Sequence, residues 1–396
     1  MTPTIKYNFD EIIDRRGTHS MKWEAGDMLK QFGLTERFDE DTISLFVADM
    51  DFQCPQPVLD ALHKRVDARM FGYSLHTTTS EYIDAIQNWF RRRHEWEIDA
   101  ASIVYSPGTV QALDALVRAF TEEGDGVIIQ RPVYSPFTRV IEGNQRQVVN
   151  NALVNNDGYY TIDFDDFEAK AKEPRNKLFI LCSPHNPVGR VWTPAELTQM
   201  AEICLANDVV LVADEIHGDL VRAGQVHTPI CTLVDDDRLI SCTATNKTFN
   251  MAGLHCSNII LNNTEMRTKF SEALGFKLPT PFSITALIAA YDEGEDWLTQ
   301  VNEYIDGNLT YLHEFLRERM PQVHYRIPEG TYIGWLDFRE TGLSSKEVHR
   351  RIYQEANVVL EDGEMFGPEG EGFQRICVPS PRPMLQAALE RIAAQF

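Results

Sequence analysis

Lys247 has neighbours unlike those of an ordinary surface lysine. It follows the short apolar segment Asp237-Arg238-Leu239-Ile240 and lies within Ser241-Cys242-Thr243-Ala244-Thr245-Asn246-Lys247-Thr248-Phe249-Asn250-Met251-Ala252-Gly253-Leu254, among hydroxyl, amide, aromatic and small side chains. An amine in such a setting loses hydration, its pKa falls, and it can act as a nucleophile or proton carrier. A solvated lysine is the plain alternative, and the residue alone does not decide between them. Four other stretches carry comparable promise. Ser106-Pro107-Gly108-Thr109-Val110 places a glycine and a hydroxyl where a helix would begin, so free N–H groups and the helix dipole can hold a phosphate. Arg131-Pro132-Val133-Tyr134 offers an aromatic plate at Tyr134, and Ser183-Pro184-His185-Asn186-Pro187-Val188-Gly189-Arg190 fixes the Asn186 amide between prolines. Asp214-Glu215-Ile216-His217 puts a carboxylate at the end of an apolar run, which is costly to bury without a cation. Taken singly, these are equally a glycine turn, a core tyrosine, a rigid loop and a helix cap.

The elements that must position them form one pattern. From about residue 101 to 261, apolar segments alternate with turns and amphipathic stretches such as Val110–Thr121 and Pro194–Asn207. The expected strands are Ser102–Tyr105, Gly126–Gln130, Leu178–Cys182, Val209–Ala213, Leu239–Thr243 and Asn258–Leu261. Several are apolar throughout, as strands covered on both faces are. This predicts an α/β fold with a large, doubly wound, mostly parallel sheet. Ligands of such sheets bind beyond the carboxyl ends of the strands. The five candidate stretches follow five of these strands. Together they supply phosphate donors, an aromatic plate, an amide, an anion and an amine. The ligand so described is a phosphorylated aromatic cation that can bond to lysine, which is pyridoxal 5'-phosphate.

The remaining sequence sets boundaries. The chain has 396 residues, 43% hydrophobic and 24% charged, with a net charge of -22, which disfavours nucleic acid and anionic membranes as partners. Its start has no apolar core segment, and no window approaches the ~18 apolar residues of a membrane span, so neither signal peptide nor transmembrane helix is expected. Seven scattered cysteines without a C-x-x-C pair suit a reducing compartment, hence the cytoplasm, and the eleven histidines show no metal-ligand spacing. Residues 1–48 read as an aromatic-rich arm ending in an expected strand, Ile43–Ala48, that joins a small domain; 49–290 as the large cofactor domain, with a helix from about Val58; and 291–396 as a smaller α+β domain. The small domain is expected to hold a helix over Glu295–Arg319, strands near Tyr332–Phe338 and Arg375–Val378, and a closing helix over Met384–Gln395.

Over nearly its whole length the chain resembles the fold-type I pyridoxal-phosphate enzymes, the class I/II aminotransferase superfamily. The motifs that carry the resemblance are Ser-Pro-His-Asn-Pro-Val-Gly-Arg, Asp-Glu-Ile-His and Asn-Lys-Thr-Phe-Asn-Met-Ala-Gly-Leu, with Asn186 28 residues before Asp214 and Asp214 33 before Lys247. It resembles more narrowly the PatB/MalY group of cystathionine or cysteine-conjugate β-lyases. That likeness rests on Asn8-Phe9-Asp10, Arg15-Arg16, Ser20-Met21-Lys22-Trp23, Val47-Ala48-Asp49-Met50-Asp51-Phe52, Phe71-Gly72-Tyr73 and Gly372-Phe373-Gln374-Arg375-Ile376. The resemblance implies that Lys247 bonds covalently to the cofactor and later shuttles protons, and that Asp214 pairs with the ring nitrogen. It further implies that Asn186 and His217 lie near the ring oxygen, that Tyr134 stacks on the ring, and that Gly108, Thr109, Val110 and a hydroxyl such as Thr245 or Thr243 hold the phosphate. His255 is a further phosphate candidate. Tyr73 would reach the phosphate of a second subunit, making a homodimer, and Arg375 would clamp the substrate carboxylate, with Arg382 as a secondary anion contact. Where relatives more often show Ile-Asn-(apolar)-Ala-Cys-Pro-Arg after the arginine, this chain has Ile376-Cys377-Val378-Pro379-Ser380-Pro381-Arg382. The activity implied is α,β-elimination of a thiolate from a sulfur amino acid, giving thiol, pyruvate and ammonia. An aminotransferase needs the same core residues, and a cofactor-binding regulatory protein is a third reading.

Overall fold

The computed structural model describes residues 5–75 and 79–396, so the first four residues of the expected arm lie outside it. Seven strands form the main sheet: β1 (Ile103–Ser106), β2 (Gly126–Ile129), β3 (Gln147–Asn150), β4 (Asn176–Cys182), β5 (Val210–Asp214), β6 (Ile240–Ala244) and β7 (Ser257–Leu261). Their spatial order is β1-β7-β6-β5-β4-β2-β3. The pairs β2–β3, β2–β4, β4–β5 and β5–β6 are parallel, while β7 runs antiparallel to both β1 and β6. The α/β fold and the mostly parallel sheet expected from the sequence are thus present. β3 is an addition, an edge strand of partly exposed residues whose apolar signal is weak.

Alternate residues of one strand serve opposite faces, because successive side chains point to opposite sides of a sheet. On β4, Phe179 and Leu181 enter one buried cluster with Leu197 and Met200 of the helix Pro194–Ala206. Leu178, Ile180 and Cys182 enter another, with Leu113, Leu116 and Val117 of the helix Thr109–Phe120. Both faces are covered, which explains the unbroken apolar runs. A third cluster joins the arm, the helices Gln56–Asp67 and Ser80–His94, and the long helix Glu295–Arg319, where Phe9 meets Trp297 edge-on at 6.1 Å. A three-stranded antiparallel sheet, β8 (Ile333–Asp337), β9 (Glu361–Asp362) and β10 (Phe373–Cys377), has β10 in its centre. The closing helix runs over Arg382–Ala393. Among the described residues no helix is long and apolar enough to cross a membrane.

One expected strand is much shorter than its apolar pattern suggests. Of Ile43–Ala48 only Ile43–Ser44 forms a paired strand, and the chain bends at Val47–Ala48. Beyond it the carbonyls of Phe46 and Ala48 accept hydrogen bonds from side chains rather than from a neighbouring strand. Ile43 and Leu45 are buried as expected, Phe46, Val47 and Ala48 only partly so, and the carbonyls of Phe46 and Ala48 are used by side chains.

Candidate active site

The strand ends converge as the sequence implies. The helix Thr109–Phe120 starts at the end of β1 with Gly108 at its N-cap and no side chain satisfying its first N–H groups. Such a terminus is a ready anion site. A Cβ on Gly108 would come within 2.3 Å of the Gln111 side-chain oxygen, so a larger residue there requires the Gln111 side chain to move. Thr109 is buried and its hydroxyl shares a 3.1 Å hydrogen bond with Ser257 on β7. Val110 is partly buried in the first turn, and Thr245 is buried where the turn bearing Lys247 begins. Of the other phosphate candidates, Thr243 is engaged with the Asn258 carbonyl at 3.2 Å, and the His255 carbonyl accepts from the Tyr105 hydroxyl at 3.0 Å.

Asp214 is the last residue of β5 and 4% exposed. Among the described residues its carboxylate meets only the Ile216 N–H, at 3.4 Å, and no cation closes on it. Burial therefore pushes its pKa up to about 7. His217, in the turn that follows, is also buried, and its Nδ1 has no partner. Burial, with the positive charges of Lys247 and Arg375 nearby, lowers its pKa to about 3, so the imidazole is neutral. Lys247 stands in the short helical turn Thr245–Thr248 at the end of β6. Its Nζ donates to the Ala48 carbonyl at 2.6 Å, and burial, with Arg375 pushing the same way, lowers its pKa. Asn186 is buried, and its carbonyl accepts from the Tyr134 N–H at 3.1 Å. Tyr134 is partly buried, and desolvation raises its phenol pKa.

This side of the site is a collection of groups lacking counterparts. It has an uncapped helix terminus, a buried carboxylate without a cation, a neutral imidazole with an open nitrogen, and an amine. These are the complements of a phosphate, a ring N–H⁺, a ring oxygen and an aldehyde. The donor set fits pyridoxal 5'-phosphate.

Arg375 enters from β10 and is 3% exposed. Its Nη1 donates to Asn186 Oδ1 at 3.3 Å and its Nη2 to the Phe46 carbonyl at 2.7 Å. The guanidinium lies over the Phe366 ring, 5.0 Å from its centroid, and forms an ion pair with Glu361 directly opposite on β9. Sequence reasoning places Arg375 at the site and misses Glu361, whose only signal is its position in a register that no linear spacing reveals. Burial raises the Glu361 pKa and Arg375 pulls it back. Arg382 is engaged with the long helix. Its Nε bonds Asn308 at 2.6 Å and its charge lies over the Tyr311 ring at 4.7 Å, both on the long helix.

Three further participants were invisible in sequence terms. The Ala48 carbonyl accepts from both Lys247 and the Tyr332 hydroxyl, the latter at 2.8 Å. Asn250 takes a left-handed conformation, φ 56°, and clamps a segment about 200 residues earlier in the chain: Oδ1 accepts from the Met50 N–H at 3.0 Å, while Nδ2 donates to the Met50 and Phe52 carbonyls at 3.0 and 2.8 Å. Asparagine tolerates that conformation better than most residues. Tyr73 does not join the group. It is 98% exposed, in a run with Met70, Phe71 and Leu75 that is likewise exposed.

The fold and this arrangement define a class before any particular relative is considered. The family model for aminotransferase class I and II matches residues 40–392, and the chain belongs to that family. Within it, the chain is 42% identical to cystathionine beta-lyase PatB of Bacillus subtilis (strain 168), over 98% of this chain and 99% of that protein. It is 33% identical to protein MalY of Escherichia coli (strain K12), over 96% of each. Its backbone matches that of cystalysin from Treponema denticola, which contains a pyridoxal 5'-phosphate cofactor, with a TM-score of 0.94 at 36% identity over 99% of each chain. The resemblance drawn from the motifs therefore holds across the full length.

Proposed function

We propose that the protein is a pyridoxal-phosphate-dependent carbon–sulfur β-lyase that cleaves cystathionine or a related cysteine S-conjugate to a thiol, pyruvate and ammonia. The observation that carries this reading is the pairing of the uncompensated Asp214 carboxylate with the Lys247 amine at adjacent strand ends, beside a buried arginine. Pyridoxal 5'-phosphate, when bound, supplies an aldehyde for amines and a ring that withdraws electrons from Cα.

The chain's own groups do the rest. Gly108, Thr109, Val110 and Thr245 hold the phosphate, Tyr134 lies on the ring, Asn186 and the neutral His217 face the ring oxygen, and Asp214 keeps the ring nitrogen protonated. Arg375 binds the substrate carboxylate once Glu361 yields one of its donors. Lys247 takes the Cα proton; burial lowers its pKa, which favours the free amine over the ammonium form. The Cβ–S bond then breaks, the electron pair leaves with sulfur as a thiolate, and water completes the release of pyruvate and ammonia. The similarity to cystathionine beta-lyase PatB supports elimination over amino transfer.

We further propose that Tyr73 and its exposed apolar neighbours meet a second copy of the chain, where Tyr73 completes the phosphate site. The proposed organisation is 1–48, 49–290 and 291–396, in the cytoplasm. Incubating the protein with pyridoxal 5'-phosphate and a cysteine thioether tests the function. A visible band near roughly 420 nm with thiol and pyruvate formed in the absence of any keto acid supports it. Turnover that requires an added keto acid and releases no ammonia makes the protein an aminotransferase.

A further inference from the structure

The motifs Arg15-Arg16, Ser20-Met21-Lys22-Trp23 and Val47-Ala48-Asp49-Met50-Asp51-Phe52 have no part in the chemistry above, yet they meet directly behind it. Lys22 is 0% exposed. Its Nζ lies 2.6 Å from Asp51 Oδ2, 3.3 Å from the Asp49 carbonyl and 3.8 Å from Asp49 Oδ1. Arg15 closes the cluster from the other side, with Nη2 2.8 Å from Asp49 and Nη1 3.1 Å from Asp51. Trp23 Nε1 donates to Asp51 Oδ1 at 3.0 Å. Burial alone would lower the Lys22 pKa, but Asp51 and then Asp49 outweigh it and raise it, so the group stays charged. Two cations and two anions thus neutralise one another inside the protein.

Such a cluster is an expensive way to fill space, since apolar residues of the same volume would serve stability as well or better. Its position gives it another use. The segment it grips, 46–51, presents the Phe46 carbonyl to Arg375 and the Ala48 carbonyl to Lys247. From the opposite side Asn250, three residues beyond Lys247, holds the Met50 and Phe52 backbone. The Asp51 N–H is fixed to the Pro379 carbonyl at 2.9 Å. The acceptor for the Lys247 amine is therefore set by a chain running from the arm, through the cluster, to Ala48.

We propose that Lys22, with Asp51 and Arg15, is a positioning unit that holds the Ala48 carbonyl where it aims the free Lys247 amine at the substrate Cα, so that the arm controls the proton-transfer step rather than substrate binding. This rests on the role of Lys247 proposed above. The test uses the holoenzyme and two readouts. The first is exchange of the Cα hydrogen of L-alanine, which has no leaving group on Cβ, with deuterium from solvent, followed by NMR across substrate concentration. The second is amide hydrogen exchange of the peptide spanning residues 46–52. Lys22→Met strands Asp51 and can prevent folding, so the deciding variant is Lys22→Met/Asp51→Asn, which removes the paired charges together. Arg16→Ala, in an exposed pair with Asp14, is the control.

In the double variant the saturating exchange rate falls by roughly 10- to 100-fold, because a displacement of about 1 Å suffices for that loss. The half-saturating concentration stays within a few-fold, and the 46–52 amides exchange faster. A folded double variant with an unchanged saturating rate, a loss confined to the half-saturating concentration, or unchanged amide protection overturns the proposal. Wild-type protein that exchanges alanine but yields no pyruvate from a thioether refutes the lyase reading and leaves this inference standing.

Discussion

The two halves of the site are built on opposite principles. On the cofactor half, the ends of β1 and β5 carry groups that lack partners: the uncapped Gly108–Thr109 terminus, Asp214 without a cation, and His217 with an open Nδ1. On the substrate half, Arg375 is already matched to Glu361, Asn186 and the Phe46 carbonyl, and the segment behind it is locked by Lys22 and Asn250. Lys247 stands at the boundary, lent to the Ala48 carbonyl. A permanent resident of defined charge can be awaited by isolated groups, because it will cover them for the life of the protein. A transient substrate cannot. The groups that receive it need a stand-in each time it leaves, and on the proposed role of Arg375 its ion pair with Glu361 would be that stand-in.

Substitutions across this divide should therefore behave differently, and Lys247→Ala gives the largest effect. It removes the proton carrier shared by both halves, and pyruvate formation falls at least ~10²- to 10⁴-fold. A variant retaining a tenth of wild-type turnover would move the proton carrier elsewhere. Asp214→Asn comes next, with kcat down about 10²- to 10³-fold through loss of the preorganised charge. It also separates the ligand-free from the loaded state. Because burial raises the folded pKa of Asp214 to about 7, from 3.8 for an ordinary aspartate, the folded ligand-free protein binds the proton more tightly than the unfolded chain. The stability that the protonated form contributes is complete below about pH 4 and is lost as pH rises toward 7. Asp214→Asn apo-protein accordingly melts above wild type at pH 8, and the advantage disappears toward pH 4. Cofactor reverses the order at pH 8. Equal melting temperatures at both pH values would show that Asp214 has a counterion of its own.

On the substrate half the expected signature is in KM. Arg375→Ala strands Glu361 in a buried site, so it raises KM and also costs about 3–5 kcal/mol of stability in chemical denaturation. Glu361→Gln works the other way. It frees Arg375, and KM for the amino acid falls several-fold while kcat changes little. A rise in KM would mean that Glu361 orients the guanidinium instead of competing with substrate. Tyr73→Ala should have the smallest effect on the single chain, within about 0.5 kcal/mol, because the side chain is solvent-exposed. Its proposed role predicts weaker cofactor retention in the assembled protein, measured by dialysis. Unchanged retention would remove Tyr73 from the site.

The same divide explains what the sequence made readable. The proposed cofactor residues follow mostly apolar strands, and a doubly wound sheet assigns its strand ends to the ligand, so Gly108, Asn186, Asp214 and Lys247 are candidates readable in linear order. The long helix Glu295–Arg319 was equally plain from its periodicity. Glu361, Asn250 and Lys22 were not, because each acts through a partner far away in the chain: Arg375 across a two-residue pairing of β9, the Met50 backbone 200 residues earlier, and Asp51 through a buried ion cluster. Ile43–Ala48 was misjudged for a related reason. Its apolar pattern marks Ile43 and Leu45 as buried, and its first residues pair with a strand, whereas the Phe46 and Ala48 carbonyls are held by Arg375, Lys247 and Tyr332.

The central claim is that Lys247, an amine aimed from a strand end at an electron-withdrawing ring, drives elimination of sulfur from Cβ. The direct measurement is the product balance from L-cystathionine with purified holoenzyme and no added keto acid, beside Lys247→Ala. Equal amounts of homocysteine, pyruvate and ammonia from the wild type, and none from the variant, are predicted. Keto acid formed only with an acceptor, or thiol released equally by Lys247→Ala, would contradict it.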